Sequence, residues 1–115
     1  MDTSCLFCKI AAGSIPSVEV FSDDAFYAFR DISPAAATHI LLIPRKHIAR
    51  ITEAREEDAE MLGRMVLCAN AIAAQEQIAE PGFRLVLNCN PDGGQTVYHI
   101  HLHILGGRAL TWPPG

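Results

Sequence analysis

The 115-residue sequence lacks the features that mark several specialised classes of protein. It has no excess of basic residues, because nine lysines and arginines stand against thirteen acidic residues, for a net charge of −4. It therefore shows no sign of the basic patch that a nucleic-acid partner requires. The N-terminal segment MDTSCLFCKI has no basic, apolar signal-peptide pattern, and no apolar run reaches the roughly 20 residues of a membrane span. We therefore expect a cytoplasmic protein without nucleic-acid or membrane partners.

Charged residues are also few, at 19%, while half of the residues are apolar. This composition and length predict one globular domain over residues 1–115. Cysteine is scarce, with only four residues, and a reducing compartment disfavours disulfides between them. The pair Cys5 and Cys8 is then interpreted as metal-binding or redox-active, whereas Cys68 and Cys89 are interpreted as packing residues.

The pattern of apolar residues predicts strands, then one long helix, then further strands. A short helix in CLFCKIAAG, closed by Gly13, precedes strands in VEVFS, AFYAFRD and THILLIPRKH, with Asp23-Asp24 as a turn and Pro44 ending the third strand's pairing. Residues 55–79 form the long helix, terminated by Pro81-Gly82, with an apolar stripe of Met61, Leu62, Met65, Val66, Ala69, Ile72 and Ala73. The segment FRLVLNCN, the turn PDGGQT and the segment YHIHLHILGG complete the chain. This order predicts an α+β fold with a mostly antiparallel sheet packed on the helix.

Three of the five histidines, His99, His101 and His103, alternate with apolar residues near the C-terminus. On a regular strand, neighbours in this set lie about 6.6 Å apart and the outer two about 13 Å apart, so one metal ion cannot take all three. A metal bound by fewer of them, a reaction centre and chance placement on a solvated face remain as alternatives. A reaction fits best, with His101 as nucleophile and a flanking imidazole on the surrounding oxygens. The turn PDGGQT, with two glycines and Thr96, is predicted to seat a phosphate.

The segment HIHLHIL resembles the His-x-His-x-His-x-x signature of the histidine triad family. The segments DISPAAATHILLIPRKHI and DGGQTVYHIHLHILGGR…WPPG resemble its nucleotide-binding, adenosine phosphoramidate-hydrolysing branch, and the similarity runs from Phe7 to the end. The resemblance implies an α+β homodimer with joined sheets. It also implies that the protein binds AMP-like purine nucleotides and hydrolyses P–N bonds in AMP-amine or AMP-lysine substrates. The third triad position is histidine, not the glutamine of the uridylyltransferase branch, which favours water as the final acceptor.

The resemblance also implies roles for individual residues. His101 is the nucleophile that forms a nucleotidyl-histidine intermediate, His103 binds phosphate oxygens and assists the leaving group, and His39 lies close behind the nucleophile. The remaining substrate contacts are Asp31 for the ribose hydroxyls, Asn88, Gly94, Gln95 and Thr96 for the phosphate, and Phe7, Ile10, Phe29 and Ile32 for the base. Without the resemblance, Asp31 is a turn former and the apolar residues are core.

The spacing of Cys5 and Cys8 allows both thiolates to reach one ion. His47 and His99 are the natural further ligands, and some relatives of this branch use such a set. We favour a structural zinc ion, because four protein ligands leave no open position. Buried packing cysteines are the alternative, and a redox pair is disfavoured because no thioredoxin-like pattern follows. No cofactor is expected for the chemistry itself.

Two alternative functions remain from the sequence. A dinucleoside polyphosphate hydrolase would use a closely similar triad, although the WPPG ending argues against it. A nucleotide-binding adaptor with little turnover would use the same pocket.

Overall fold

A five-stranded antiparallel sheet forms the centre of the protein in the computed structural model, which describes residues 4–115. The strands are β1 (Glu19–Ser22), β2 (Phe26–Arg30), β3 (Thr38–Pro44), β4 (Phe83–Val86) and β5 (Leu102–Gly106), and their order across the sheet is β1-β2-β3-β5-β4. Two α-helices, α1 (Leu6–Ala11) and α2 (Ala59–Gln75), complete the fold, together with three short 3-10 turns. The α+β prediction is therefore confirmed.

The sheet is buried on both faces, because its central strands carry apolar residues at successive positions. One face packs on α2 through a cluster that includes Ala28, Ile40, Leu42 and Ile104. The opposite face carries a second cluster, in which Tyr27, Phe29, Leu41 and Ile43 pack against α1. The strand β3 is an interior strand, and His39, two residues from Leu41, projects to the α1 face.

The N-terminal turns follow the predictions closely. Gly13 takes a left-handed conformation with φ of 81° just after α1, as expected for a residue that closes a helix. The Asp23 carboxylate accepts the backbone N–H groups of Ala25 and Phe26, which fixes the turn between β1 and β2. Both features place α1 and its side chains over the sheet.

The long helix is shorter than predicted at both ends. It is preceded by a 3-10 turn over Glu56–Asp58 and ends at Gln75 rather than at residue 79. The chain reverses at Gln77, whose φ is 63°, and buries Ile78 in the core. Val66 was predicted to lie in the buried stripe, but its side chain is 45% exposed. Among residues 4–115, no helix has both the length and the apolarity needed to cross a membrane.

The two C-terminal strands are also shorter than the sequence pattern suggested. The strand β4 ends at Val86 instead of Asn90, and β5 begins only at Leu102. Of the alternating histidines, only His103 therefore lies within a strand. The strand β5 begins late because Pro44 of β3 has no N–H to donate. The Pro44 carbonyl accepts a hydrogen bond from the His99 ring instead of one from a strand backbone.

Candidate active site and metal centre

A cavity of about 220 Å³ opens on the α1 face of the sheet, beside the final histidines. Its apolar lining is Leu6, Phe7, Ile10, Phe29, Ile32, Leu41 and Val97, and its polar lining is Asp31, Thr96, His101 and His103. Ile32 is 99% exposed, although it belongs to this lining. An apolar side chain fully exposed at the mouth of a cavity is the arrangement that a flat apolar ligand would cover.

Aromatic packing connects the cavity wall to the central histidine. The Phe7 ring meets the Phe29 ring edge to face, with centroids 5.5 Å apart, and meets the His101 ring in the same way at 5.0 Å. Since Phe7 comes from α1 and Phe29 from β2, the helix and the sheet together form one aromatic surface. This surface stands next to the imidazole that the sequence singled out as nucleophile.

The His101 ring is held in one tautomer by the backbone. Its Nδ1–H donates to the His99 carbonyl oxygen at 2.8 Å, and because a carbonyl only accepts, Nδ1 must carry the proton. A neutral ring then has a lone pair on Nε2. Burial lowers the pKa of His101 from its usual value, although the His99 carbonyl and the Asp31 charge oppose this. The ring is therefore neutral at pH 7 and chemically able to attack an electrophile.

His39 and His103 form a directed hydrogen-bond chain on the same face. The Ala35 backbone N–H donates to His39 Nδ1 at 3.0 Å, so that nitrogen is an acceptor and His39 carries its proton on Nε2. His39 Nε2 lies 2.9 Å from His103 Nδ1 and donates to it. His103 is then left with its proton on Nε2, as a hydrogen-bond donor.

The His103 ring stays neutral at pH 7. Burial lowers the pKa of His103 to about 4, and the neighbouring His101 and His39 rings act in the same direction, while Asp31 opposes them. The chain from Ala35 agrees with this result, because protonation of His103 Nδ1 would place two N–H groups face to face. His103 is therefore arranged to donate one proton in a hydrogen bond, from Nε2.

Asp31 follows β2 and is part of the cavity lining, with 19% of its side chain exposed. One carboxylate oxygen, Oδ1, accepts the Ser33 backbone N–H at 2.7 Å. The other, Oδ2, lies 3.5 Å from His39 Nε2. A partly exposed carboxylate with a largely uncommitted oxygen suits a ligand hydroxyl group.

The segment from Asn88 to Thr96 contributes less to the cavity than its sequence suggested. Thr96 lines the cavity, whereas Asn88, Gly94 and Gln95 are not among its lining residues. The backbone N–H groups of residues 93–95 donate within their own turn, to the carbonyls of Asn90 and Pro91. These amides are thus committed within the turn, and contacts of Asn88, Gly94 and Gln95 with a phosphate stay predictions.

The buried Gln95 side chain instead braces the turn. Its amide donates to the carbonyls of Ala49 and Val97, and its oxygen accepts the Asn90 N–H. This fixes the turn against the chain that follows β3.

The four predicted metal ligands converge at the N-terminus of α1. Cys5, Cys8, His47 and His99 each offer one ligand atom, and these atoms all lie within 4.8 Å of one another. The distance from Cys5 Sγ to His99 Nδ1 is 3.3 Å, those from Cys8 Sγ to the two Nδ1 atoms are both 3.5 Å, and the two Nδ1 atoms are 3.2 Å apart. Tetrahedral zinc with ordinary bond lengths separates S from N by about 3.6 Å and N from N by about 3.3 Å. The spacing thus matches the edges of a zinc tetrahedron.

The protonation state of His99 also fits a zinc ligand. His99 Nε2–H donates to the Pro44 carbonyl at 2.8 Å, which leaves Nδ1 with a lone pair directed at the thiols. Burial lowers the pKa of His99, so the ring is neutral, as a ligand must be. The Cys8 backbone N–H donates to Cys5 Sγ at 3.3 Å, which holds that sulfur beside the ring. The donor set therefore fits zinc.

A second group, Asp31, His39 and His103, also has its ligand atoms within 4.8 Å of one another. Unlike the first group, it does not offer a free lone pair from each residue to a metal ion. His39 Nδ1 already accepts the Ala35 N–H, so Nε2, the atom facing the other two groups, carries a proton and has no lone pair for a metal. The donor set of this group therefore does not fit an ion.

One lining residue, Leu41, and two backbone groups of the site were not predicted from the sequence. Leu41 follows His39 by two positions on β3 and therefore shares its face, so the alternation of the strand predicts it as a lining residue. The Ala35 N–H and the Pro44 carbonyl set the histidine tautomers, but they are backbone groups that side-chain identity does not reveal.

Known proteins show strong similarity to this chain. The family model described as HIT domain matches residues 12–110. The purine nucleoside phosphoramidase of Escherichia coli K12 is 53% identical over 91% of this chain and 88% of its own length. The adenylylsulfatase HINT1 of Arabidopsis thaliana is 48% identical over 99% of this chain and 78% of its own length.

A solved structure confirms the fold. The crystal structure of a HIT family hydrolase from Legionella pneumophila Philadelphia 1 superposes with a TM-score of 0.95 at 56% identity, covering 96% of this chain and 99% of that one. These similarities together support a nucleotide hydrolase. On its fold, its histidine motif and the matched family model, the chain belongs to the histidine triad, or HIT, family.

Proposed function

We propose that this HIT-family nucleotide hydrolase cleaves the P–N bond of purine nucleoside phosphoramidates through a nucleotidyl-histidine intermediate. The observation that carries the proposal is the neutral His101 ring, whose Nδ1 is committed to the His99 carbonyl and whose Nε2 is free beside the cavity. The relative from Escherichia coli, named a purine nucleoside phosphoramidase, supports the choice of substrate.

The substrate would occupy the cavity in three parts. The purine base would stack on the wall formed by Phe7, Phe29 and Ile32, whose side chains line the cavity. The ribose hydroxyls would donate to Asp31. The phosphate would then stand between His101, His103 and Thr96, the remaining polar groups of the lining.

The reaction would proceed in two displacements at phosphorus. In the first, His101 Nε2 forms a bond to phosphorus while the P–N bond breaks, and the amine leaves with a proton taken from water. In the second, the oxygen of that water bonds to phosphorus, and the P–N bond to His101 breaks to release the nucleotide. His103 Nε2–H would hydrogen-bond the phosphate oxygens in both transition states and stabilise the charge that develops there.

The test is release of AMP from an adenosine 5′-phosphoramidate, followed by chromatography. The wild-type protein should produce AMP, and His101→Ala should abolish its production. Arg64→Gln serves as a control with unchanged activity, because Arg64 lies on the exposed side of α2 and pairs only with Glu60. Full activity in His101→Ala would overturn the proposal.

A second candidate is cleavage of adenylyl sulfate, favoured by the Arabidopsis relative named an adenylylsulfatase. The same attack by His101 would then expel sulfate instead of an amine. Turnover of adenosine 5′-phosphosulfate should be compared with that of the phosphoramidate in one assay. Diadenosine polyphosphates belong in the same series, and purine nucleotide binding without turnover of any substrate would indicate an adaptor.

We further propose that a structural zinc ion occupies Cys5, Cys8, His47 and His99, and that the protein is a cytoplasmic homodimer. The zinc proposal rests on the ligand spacing, and with four protein ligands the ion supplies no position for a water nucleophile. The dimer proposal rests on family resemblance and on the outer strands β1 and β4, each of which has one unpaired edge in this sheet. Elemental analysis and light scattering after size-exclusion chromatography test the two proposals.

A further inference from the structure

One N–H group in the active site faces two acceptors. The proton on His39 Nε2 points toward His103 Nδ1 at 2.9 Å, while Asp31 Oδ2 lies 3.5 Å from the same nitrogen. A single N–H makes one good hydrogen bond, so the carboxylate competes with His103 for it. His39 cannot satisfy both by protonating its other nitrogen, because Nδ1 accepts the Ala35 N–H.

The Asp31 carboxylate has only one oxygen with which to compete. Its Oδ1 is committed to the Ser33 N–H at 2.7 Å, which leaves Oδ2 for His39 or for a ligand. Oδ2 belongs to a carboxylate that is partly exposed and lines the cavity, so a bound ribose can reach it. Hydroxyl groups that donate to Oδ2 would take up its lone pairs and remove the competitor.

We infer that Asp31 is a specificity-determining residue that couples recognition of the ribose diol to the donor state of His103; this inference rests on the proposed function of the same site. When the 2′ and 3′ hydroxyls occupy Oδ2, the His39 N–H donates fully to His103 Nδ1. His103 then keeps its proton on Nε2, toward the phosphate. The substrate class is thereby narrowed to ribonucleotide derivatives, and nucleotides without the diol are poor in turnover as well as in binding.

The physical reason for the effect on turnover is the directionality of imidazole. If His103 loses the hydrogen bond at Nδ1, its proton is free to move to that nitrogen, and Nε2 then presents a lone pair. A lone pair directed at an anionic phosphate repels it, whereas an N–H stabilises the charge that grows in the transition state. Binding of the ribose diol therefore affects how well the enzyme stabilises the charge on the phosphate in the transition state, although the diol and the phosphate are different parts of the substrate.

The kinetic test compares adenosine 5′-phosphoramidate with its 2′,3′-dideoxy analogue. In the wild-type protein, loss of the diol should lower kcat about tenfold as well as raise KM, since an interaction acting in the transition state appears in kcat. In Asp31→Asn, kcat for the two substrates should become nearly equal. The control Asp24→Asn, an exposed aspartate in the turn before β2, should keep the wild-type ratio. A dideoxy analogue whose whole deficit lies in KM would overturn the inference.

A spectroscopic test does not depend on turnover. The ¹⁵N shifts of the His103 ring report which nitrogen carries the proton, and they can be recorded with saturating AMP and with saturating 2′,3′-dideoxy-AMP. AMP should raise the population of the Nε2–H form of His103, already the main form in the free protein, while the dideoxy nucleotide should leave that population unchanged. Identical His103 spectra in the two complexes would refute the coupling, even if phosphoramidates are hydrolysed. Failure to hydrolyse any phosphoramidate would refute the proposed function instead, and the spectra would still decide the coupling.

Discussion

Four of the five histidines divide between two neighbouring clusters with the composition of metal sites. His47 and His99 meet two thiols at the start of α1, whereas His39 and His103 meet the Asp31 carboxylate farther along the same sheet face. The rings are chemically identical, and they differ in the backbone group that each one contacts. A carbonyl on Nε2 leaves His99 with a lone pair on Nδ1, while an amide on Nδ1 leaves His39 with its proton on Nε2. The role of a histidine in this fold is thus set by its partner on the far side of the ring.

The fifth histidine lies between the two clusters and depends on the first. His101 receives its tautomer from the carbonyl of His99, the residue whose ring would bind zinc. The cluster of Cys5, Cys8, His47 and His99, here called the metal cluster, therefore orients the proposed nucleophile. The cluster of Asp31, His39 and His103, here called the proton cluster, contains the ring proposed to assist it. Removing one cluster at a time separates these contributions.

The largest effect is expected from removal of the metal cluster. Cys8→Ser should abolish zinc binding and lower the free energy of unfolding by about 4 kcal/mol where free zinc exceeds its Kd a thousandfold. Zinc that binds only the folded state would stabilise that state, and the substitution removes one of the two thiolates that would hold the ion. Zinc content by elemental analysis and thermal unfolding are the measurements.

Cys89→Ser is the matched control, because Cys89 is not one of the four clustered ligands and makes a weak contact, of 3.9 Å, with Thr52. It should keep its zinc and nearly all of its stability. A Cys8→Ser protein that holds one zinc per chain, or a wild-type protein that holds none after a metal-replete purification, would contradict the assignment.

The next effect comes from the proton cluster. His39→Leu should lower kcat for the phosphoramidate by about a hundredfold, since His103 loses the hydrogen bond that fixes its donor nitrogen. His39→Gln offers both an acceptor for Ala35 and a donor for His103, and should recover part of the rate. Both variants should keep full zinc content, which separates this cluster from the other. Loss of zinc from His39→Leu, or equal rates in the two variants, would show that His39 acts as general packing.

The sequence and the family resemblance pointed to the residues of both clusters, but not to the tautomers of their histidines. The apolar pattern was enough for the antiparallel sheet and the long helix, and the spacing of Cys5 and Cys8 was enough for their position at one site. The place of His39 near the triad came from the family resemblance, and Leu41 was not predicted as a lining residue. The tautomers were out of reach, because they depend on backbone groups of Ala35, Pro44 and His99 whose positions arise only from tertiary packing.

The same limit explains the less accurate predictions. The glycines after Asn90 were expected to direct amides at a phosphate, but the turn uses those amides to close itself. Helix α2 was predicted to continue to residue 79, while burial of Ile78 reverses the chain earlier. In both cases a local pattern was overridden by contacts that the segment makes elsewhere.

A smaller effect is expected from pH. The pKa of His103 is lowered from its usual 6.5 to about 4 in the folded protein, so between these values the unfolded chain binds a proton that the folded chain does not. The free energy of unfolding should therefore fall as the pH decreases from 6.5 to 4, by up to about 1.4 kcal/mol per pH unit from this group. His103→Gln should remove that part of the slope.

Urea unfolding of the two proteins over this pH range, at one zinc concentration, measures the difference. The zinc ligands also gain protons as the pH falls, and their contribution cancels because both proteins retain them. Equal slopes in wild type and His103→Gln would mean that the folded ring titrates like a free one.

The smallest effect concerns Phe7, whose ring packs against His99 of the metal cluster and against His101. Its centroid lies 5.0 Å from that of His101 and 6.2 Å from that of His99, while it also forms the wall of the cavity. Phe7→Leu keeps an apolar side chain but loses the edge-to-face contacts and the flat surface for a base. We expect the Kd for AMP, measured by calorimetry, to rise about three- to tenfold.

Zinc content decides how this result is interpreted. Phe21→Leu, a substitution on β1 that packs toward the other core, should leave the Kd for AMP unchanged and controls for general loosening. If Phe7→Leu weakens AMP binding and retains zinc, the wall belongs to the nucleotide and the metal cluster stands without it. If zinc is lost with the ring, the two clusters form one packed unit, and α1 holds the metal through its aromatic side chain as much as through its thiols.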